Sequence, residues 1–165
     1  MGKKVIWGLS AHLAFHTPAQ LIVVRQQIMK LIRIDYDKLN PRQQEAYNFQ
    51  RVSAVLADFG FCTIRLSDDW SGADFIAQHI DGTFLKVQLK GRLTFAKKYE
   101  GKDLWLCFPS DGGWYLYPHD VMLAKVKEKK TTLEFSKAWS VDGGYNVPPP
   151  LGKALKEILA PYRVE

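Results

Sequence analysis

The segment that most restricts the fold is a pair of alternating runs on either side of a short turn. Ala73-Asp74-Phe75-Ile76-Ala77-Gln78-His79 and Thr83-Phe84-Leu85-Lys86-Val87-Gln88-Leu89-Lys90 flank Ile80-Asp81-Gly82. Alternation of this kind puts successive side chains on opposite faces and predicts a β-hairpin. The length of the turn decides which side chains meet. A two-residue turn at Asp81-Gly82 pairs Asp74 with Leu89 and leaves a carboxylate on the apolar face. A three-residue turn with Gly82 left-handed pairs His79 with Thr83, and so Asp74 with Gln88. The second register avoids burying an ionised group among Val87 and Leu89, so it is the expected one. It gathers Asp74, Gln88 and Lys90 on one face of two adjacent strands.

The flanking elements read as one α+β unit. Residues 42–59 form the best helix, with Asn40 as N-cap, Pro41 at the first helical position and Gly60 as the stop. Phe49, Val52, Leu56 and Phe59 recur at helical spacing and define the packed face. A strand is expected at 61–66, ending in a polar turn at 67–72. Further strands are expected at 103–108 and 114–117, joined through Ser110-Asp111-Gly112-Gly113. A short helix is expected after Pro118 and a terminal amphipathic helix at 151–160, beyond Pro148-Pro149-Pro150. The expected organisation is an N-terminal extension at 1–28, a core at 29–130 and a C-terminal extension at 131–165 with the terminal helix. Met29 is an alternative start of translation.

Composition narrows the function classes. A chain of 165 residues can build one domain with its own core. With 47% hydrophobic and 24% charged residues, disordered and fibrous classes are excluded. A formal charge of +6 favours an anionic partner, nucleic acid before a membrane surface. No apolar run approaches the roughly eighteen residues that a membrane helix needs. The charge is uneven: Asp68, Asp69, Asp74 and Asp81 face only Arg65 over 61–81, then Lys86, Lys90, Arg92, Lys97 and Lys98 face only Glu100 over 82–100. Cys62 and Cys107 each sit in an apolar run and are expected as buried free thiols, which fits a reducing cytoplasm. Lys3 and Lys4 before Val5–Phe15 loosely mimic a signal peptide, but His12 within that run and the lack of a small-residue cleavage site oppose it. His12 and His16 have helical spacing and no third ligand nearby, so they do not make a metal site.

The helix, the strand, the acidic residue opening a hairpin and Gln-x-Lys on its second strand together resemble the PD-(D/E)xK nuclease superfamily. Gly72-Ala73-Asp74-Phe75 stands for its first half-motif and Lys86-Val87-Gln88-Leu89-Lys90 for its second. The setting, with Trp114-Tyr115-Leu116-Tyr117-Pro118-His119-Asp120 after it, is most like the Holliday-junction-resolvase-like and intron-associated endonuclease branches. The resemblance spans about residues 42–125. It implies a restriction-endonuclease-like core, a central mixed sheet flanked by helices, and Mg²⁺- or Mn²⁺-dependent hydrolysis of DNA, with DNA preferred over RNA. It further implies Asp74 as metal ligand, with Gln88 and the Leu89 carbonyl completing the protein side, and Lys90 orienting the water. A glutamate from the first helix is common in the family; Glu45 stands about one turn before the matching position, held by Phe49. Paired cuts on a duplex would favour a symmetric homodimer.

One departure bears on activity. Gln88 stands where Glu or Asp is usual, and a neutral amide is a weaker ligand for a hard cation. Asp68 or Asp69 could supply a compensating carboxylate. The same residues also have plain structural readings: Asp74 as a turn or cap residue, and Lys86, Gln88 and Lys90 as a solvated sheet face. Lys86, Arg92, Lys97 and Lys98, with Phe95 and Tyr99 interleaved, could follow a phosphate backbone or form a solvated loop. Lys125, Lys127, Lys129 and Lys130 read first as an exposed helix end and second as a phosphate patch. His119 is a general-acid candidate with no partner visible in the sequence. The alternatives to an active endonuclease are a catalytically silent nucleic-acid-binding relative and a partner-binding domain.

Overall fold

A computed structural model describes residues 32–129 and 136–165. The N-terminal extension, with His12, His16 and Met29, lies outside the described residues, as does Lys130. The chain divides into two units after Asp35, and of the first only residues 32–35 are described, without helix or strand. The second unit is Tyr36–Glu165.

Helix α1 (Pro41–Asp58) forms as the sequence predicts. Asn40 accepts the backbone N–H of Gln43 at 2.9 Å while the Gln43 side chain accepts the Asn40 N–H at 2.9 Å. This reciprocal box satisfies two of the N–H groups that every helix start leaves unpaired. Val52 and Leu56 are fully buried, Phe49 packs edge-on to Phe75 at 5.4 Å, and Phe59, at the helix end, is exposed.

Two antiparallel hairpins joined by one parallel pairing make the central sheet. Its strands are β1 (Phe61–Trp70), β2 (Ala73–His79) and β3 (Phe84–Leu89), then β5 (Leu104–Ser110), β6 (Gly113–Pro118) and β8 (Arg163–Val164). They lie side by side in that order, with β3 and β5 parallel and the rest antiparallel. The small strands β4 (Thr94–Ala96) and β7 (Gly144–Asn146) pair separately. Alternation divides the core in two. Phe75, Val87, Leu89, Cys107 and Leu116 cluster with Val52 and Leu56 of α1. Leu106, Phe108, Tyr115 and Tyr117 cluster with helices α2 (His119–Glu128) and α3 (Lys153–Leu159), through Met122, Leu123, Val126 and Leu159. The result is the mixed sheet flanked by helices that the resemblance implies. Of the stretch expected as a C-terminal extension, the described residues 136–165 include Leu159, which is fully buried, and β8, which pairs with β6. Among the described residues no helix is long and apolar enough to cross a membrane.

The β2–β3 turn takes the three-residue form. His79 N–H donates to the Thr83 carbonyl at 2.8 Å, Gly82 N–H returns to His79 at 3.0 Å, and Gly82 has φ +93°. Phe75 lies opposite Val87, so Asp74 lies opposite Gln88.

Three expectations need correction. Strand β1 does not stop at 66 but runs to Trp70, with a register shift between Arg65 and Trp70. The reversal is confined to Ser71 and Gly72, both at positive φ (+56° and +94°), as a tight two-residue turn between right-twisted strands requires. The polar Ser67-Asp68-Asp69 run thus sits on an edge strand, where polar side chains are tolerated. Cys62 is exposed while Cys107 is buried, because β1 forms the edge of the sheet and β5 lies inside it. The short strands β4, β7 and β8 were not anticipated: each has three residues or fewer and depends on a partner distant in sequence.

Substituting Gly82 tests the turn. Nothing lies within 4 Å of the site of a missing Cβ there, so Gly82→Ala meets only backbone strain. It is expected to cost about 1–2 kcal/mol, read as a lowered urea midpoint at unchanged slope.

Candidate active site

The register of the hairpin brings the half-motif together. Asp74 is the second residue of β2, two residues beyond Gly72 of the Ser71-Gly72 turn. Its Oδ2 accepts the backbone N–H of Leu89 at 2.7 Å and also the side-chain amide of Gln88. The Gln88 amide lies 3.5 Å from the Leu89 carbonyl oxygen as well. Gln88 is buried, at 6% exposure, so its identity has a physical consequence. A glutamate at this position would set a second carboxylate against Asp74, whereas the amide donates to it.

Burial pushes the Asp74 carboxyl above its ordinary value of 3.8. The Leu89 N–H, the Lys90 charge and the Gln88 amide oppose that rise, and the Glu45 carboxylate adds to it. The anion is therefore held by hydrogen bonds yet incompletely solvated, a state that a cation would relieve.

Lys90 follows β3 and keeps the parity of Gln88. Its N–H donates to the Cys107 carbonyl at 2.8 Å, and its ammonium lies 5.5 Å from the centre of the Tyr99 ring. Glu45 is ion-paired with Arg65, whose guanidinium lies 5.7 Å from the Phe49 ring centre. An open cleft of about 470 Å³ runs between Arg42, Glu45, Arg65, Ser67, Asp68 and Asp74. A smaller one of about 170 Å³ is lined by Glu45, Asn48, Leu89 and Lys90 among others. Glu45 forms part of both walls, one turn into α1. Asp68 lines the larger cleft; the side chain of Asp69 lies outside the described residues.

The other sequence candidates are dispersed. Lys86 donates to the Lys102 carbonyl at 2.7 Å and lies 3.6 Å from Asp103. Lys97 lies over the Trp139 ring at 5.4 Å and Lys98 over Tyr99 at 5.1 Å. Arg92 is exposed beside a separate cleft of about 220 Å³ with Phe108 and Leu151. Phe95 and Tyr99 are buried and offer no surface for stacking bases. His119 is fully buried and bonded to Asp120 at 2.8 Å. Arg42, Arg65 and Asn48 escaped the sequence reading. Arg42 and Asn48 share α1 with Glu45, and Arg65 sits on β1 opposite Phe75, so a helical wheel and the β1–β2 pairing would have shown them.

Hard oxygen donors lie here in the Asp74 carboxylate and the Leu89 carbonyl, both facing the Gln88 amide nitrogen, with the Glu45 carboxylate lining the same cleft as Asp74. Among the described residues no group of three or more His, Cys, Asp or Glu gathers as a metal cage. Such a sparse, all-oxygen set fits Mg²⁺ or Mn²⁺, which keep waters and substrate oxygens in their shell, better than it fits zinc.

Because the carboxyl of Asp74 titrates higher in the folded chain than when unfolded, the folded state binds its proton more tightly. Its stabilising contribution is complete below pH 3.8 and is lost as pH rises through the elevated folded value. Asp74→Asn, which keeps an acceptor for Leu89, should therefore gain stability relative to wild type as pH rises toward neutrality. Thermal melts of both proteins from pH 3 to pH 8 check the sign.

No protein-family model matches the chain, and no curated protein matches it. Solved structures do show likeness. A Holliday junction resolvase from the archaeal hyperthermophile Archaeoglobus fulgidus aligns with a TM-score of 0.38 at 13% identity, over 46% of this chain and 72% of its own. A bacterial homing endonuclease aligns with a TM-score of 0.46 at 15% identity, over 75% of this chain and 86% of its own.

Proposed function

We propose that this chain is a divalent-metal-dependent endonuclease that hydrolyses DNA phosphodiester bonds at the Asp74–Gln88–Lys90 site. The supporting observation is the bonding of Asp74 to both Gln88 and Leu89 N–H, with Lys90 next along the chain and an open cleft beside them. Asp74, Gln88 and the Leu89 carbonyl would hold the ion, and Glu45 could join if it left Arg65. A bound Mg²⁺ or Mn²⁺ would supply Lewis-acid relief of the phosphate charge and a water of lowered pKa. The Lys90 ammonium orients the attacking water and offsets the negative charge that develops on the phosphoryl oxygens. Arg42 and Arg65 line the cleft where the phosphate backbone would enter, and Lys86, Arg92, Lys97 and Lys98 extend the basic surface. DNA is preferred over RNA through the half-motif resemblance alone. A homodimer acting on both strands and a reducing cytoplasmic setting, suited to the exposed Cys62 thiol, complete the reading.

A silent nucleic-acid-binding relative is the second reading. It is favoured by the neutral Gln88, whose amide already bonds Asp74.

Supercoiled plasmid and branched DNA, incubated with Mg²⁺ or Mn²⁺, separate the readings. Wild type is expected to cut, with Asp74→Ala and Lys90→Ala each slower by at least about 10²-fold. Salt-sensitive DNA binding without cleavage would leave the silent relative; loss of both activities would leave a partner-binding domain.

Gln88→Glu probes the metal site by itself. Two facing carboxylates are expected to lower the melting temperature without divalent ion and to enlarge the rise on adding Mg²⁺. An unchanged response to Mg²⁺ in Gln88→Glu would remove Gln88 from the ligand set.

A further inference from the structure

Tyr99 is a buried side chain beside the candidate site that the proposed chemistry leaves unassigned. It is 2% exposed, in a 3-10 turn (Lys97–Tyr99) directly after β4. Its ring meets His119 edge-on, with centroids 5.6 Å apart and planes at 85°. His119 is itself immobilised: Nδ1 bonds Asp120 Oδ1 at 2.8 Å and Nε2 accepts the Ala96 N–H at 3.4 Å. Asp120 Oδ2 in turn accepts the Gly101 N–H at 2.9 Å. The turn that carries Tyr99 is thus tied to the start of α2 on both sides of the ring's attachment point.

The ring also touches both halves of the motif. A Cβ on Gly72, two residues before Asp74, would lie 3.4 and 3.5 Å from Tyr99 Cδ1 and Cε1, so the glycine backbone lies against the ring. The Lys90 ammonium lies 5.5 Å from the ring centre, within cation–π range, and the Lys98 ammonium shares the ring at 5.1 Å. Among the described residues no carboxylate or carbonyl bonds the Lys90 ammonium, in contrast to Lys86, which is bonded to the Lys102 carbonyl.

We infer that Tyr99 is a positioning residue: its ring face holds the Lys90 ammonium at the site, in register with Asp74. The inference rests on the endonuclease reading. An aromatic face suits the task for a chemical reason. A lysine has a long, flexible stem and needs a support to stay in one place. A carboxylate support would compete for the metal and occupy the ammonium's donors. The ring attracts the cation through its quadrupole and leaves its N–H groups for water and phosphate. The hydroxyl has no part in this, so phenylalanine should serve as well as tyrosine.

The experiment uses the full-length chain. Wild type and Asp74→Ala are assayed first on plasmid DNA with Mg²⁺, which tests the endonuclease reading alone. Tyr99→Leu is then expected to lower kcat by about 10²-fold, the scale of an ångström-sized misplacement, with KM little changed. Tyr99→Phe is expected to keep wild-type kcat. A fully active Tyr99→Leu, or a Tyr99→Phe as impaired as Tyr99→Leu, would overturn the inference. A second measurement is independent of cleavage and of how well Tyr99→Leu folds. In the carbon–proton NMR spectrum of the wild type, the Lys90 ε-methylene protons should lie upfield of their unstructured position through the ring current. Tyr99→Phe should retain the shift. An unshifted Lys90 ε-methylene in the wild type overturns the inference even if DNA is cut. A wild type that never cuts but shows the shift overturns the endonuclease reading and upholds the contact.

Discussion

The hydrogen bond from Leu89 N–H to the Asp74 carboxylate links everything around the site. It joins the start of β2 to the end of β3, and it exists only because the Ile80-Asp81-Gly82 turn aligns Phe75 with Val87. A slip of one residue would exchange the faces of every side chain on the strand. Asp74 would then share a face with Val87 and Leu89 beneath α1, and Phe75 would turn outward. Gly82, at φ +93°, is the local residue that permits the register. The packing of Val87 and Leu89 beneath α1 is the distant force that selects it.

With the register in place, the site is a balance between burial and charge. The Asp74 carboxyl is raised by desolvation while a backbone N–H, an amide and an ammonium favour its anion. Gln88 belongs to this balance. In a buried position beside a carboxylate, an amide donor lowers the cost of the empty site, whereas a second carboxylate would increase it until a cation arrived. Glu45 shows the same economy, since its charge is met by Arg65 across the cleft. The acidic and basic clusters that adjoin in the sequence are therefore not simply opposed in space: Arg65 meets Glu45 from α1, and Lys90 rests on Tyr99.

Legibility followed the range of the interactions. The capping box at Asn40, the spacing of Val52 and Leu56, and the turn at Gly82 are all local, and each could be read from neighbouring residues. Strand β1 runs four residues past the sequence expectation, although Ser67-Asp68-Asp69 has the composition of a turn. Its pairing with β2 at the sheet edge outweighed that local preference. The isolation of β4 and β7 has the same origin: Thr94-Phe95-Ala96 carries no period of its own, and Gly144-Tyr145-Asn146 supplies its partner from far along the chain.

The linear order of residues by itself determined the hairpin, its register and hence the meeting of Asp74 with Gln88, because alternation and turn geometry operate over a few residues. It also determined the helix that covers one sheet face. Only the tertiary structure decided what surrounds that pair: Arg65 on Glu45, the cleft with Arg42 and Asp68, and the ring of Tyr99 set between Gly72, His119 and Lys90. These contacts join elements brought together by burial of two separate apolar clusters. No spacing along the chain encodes which surfaces those clusters press together.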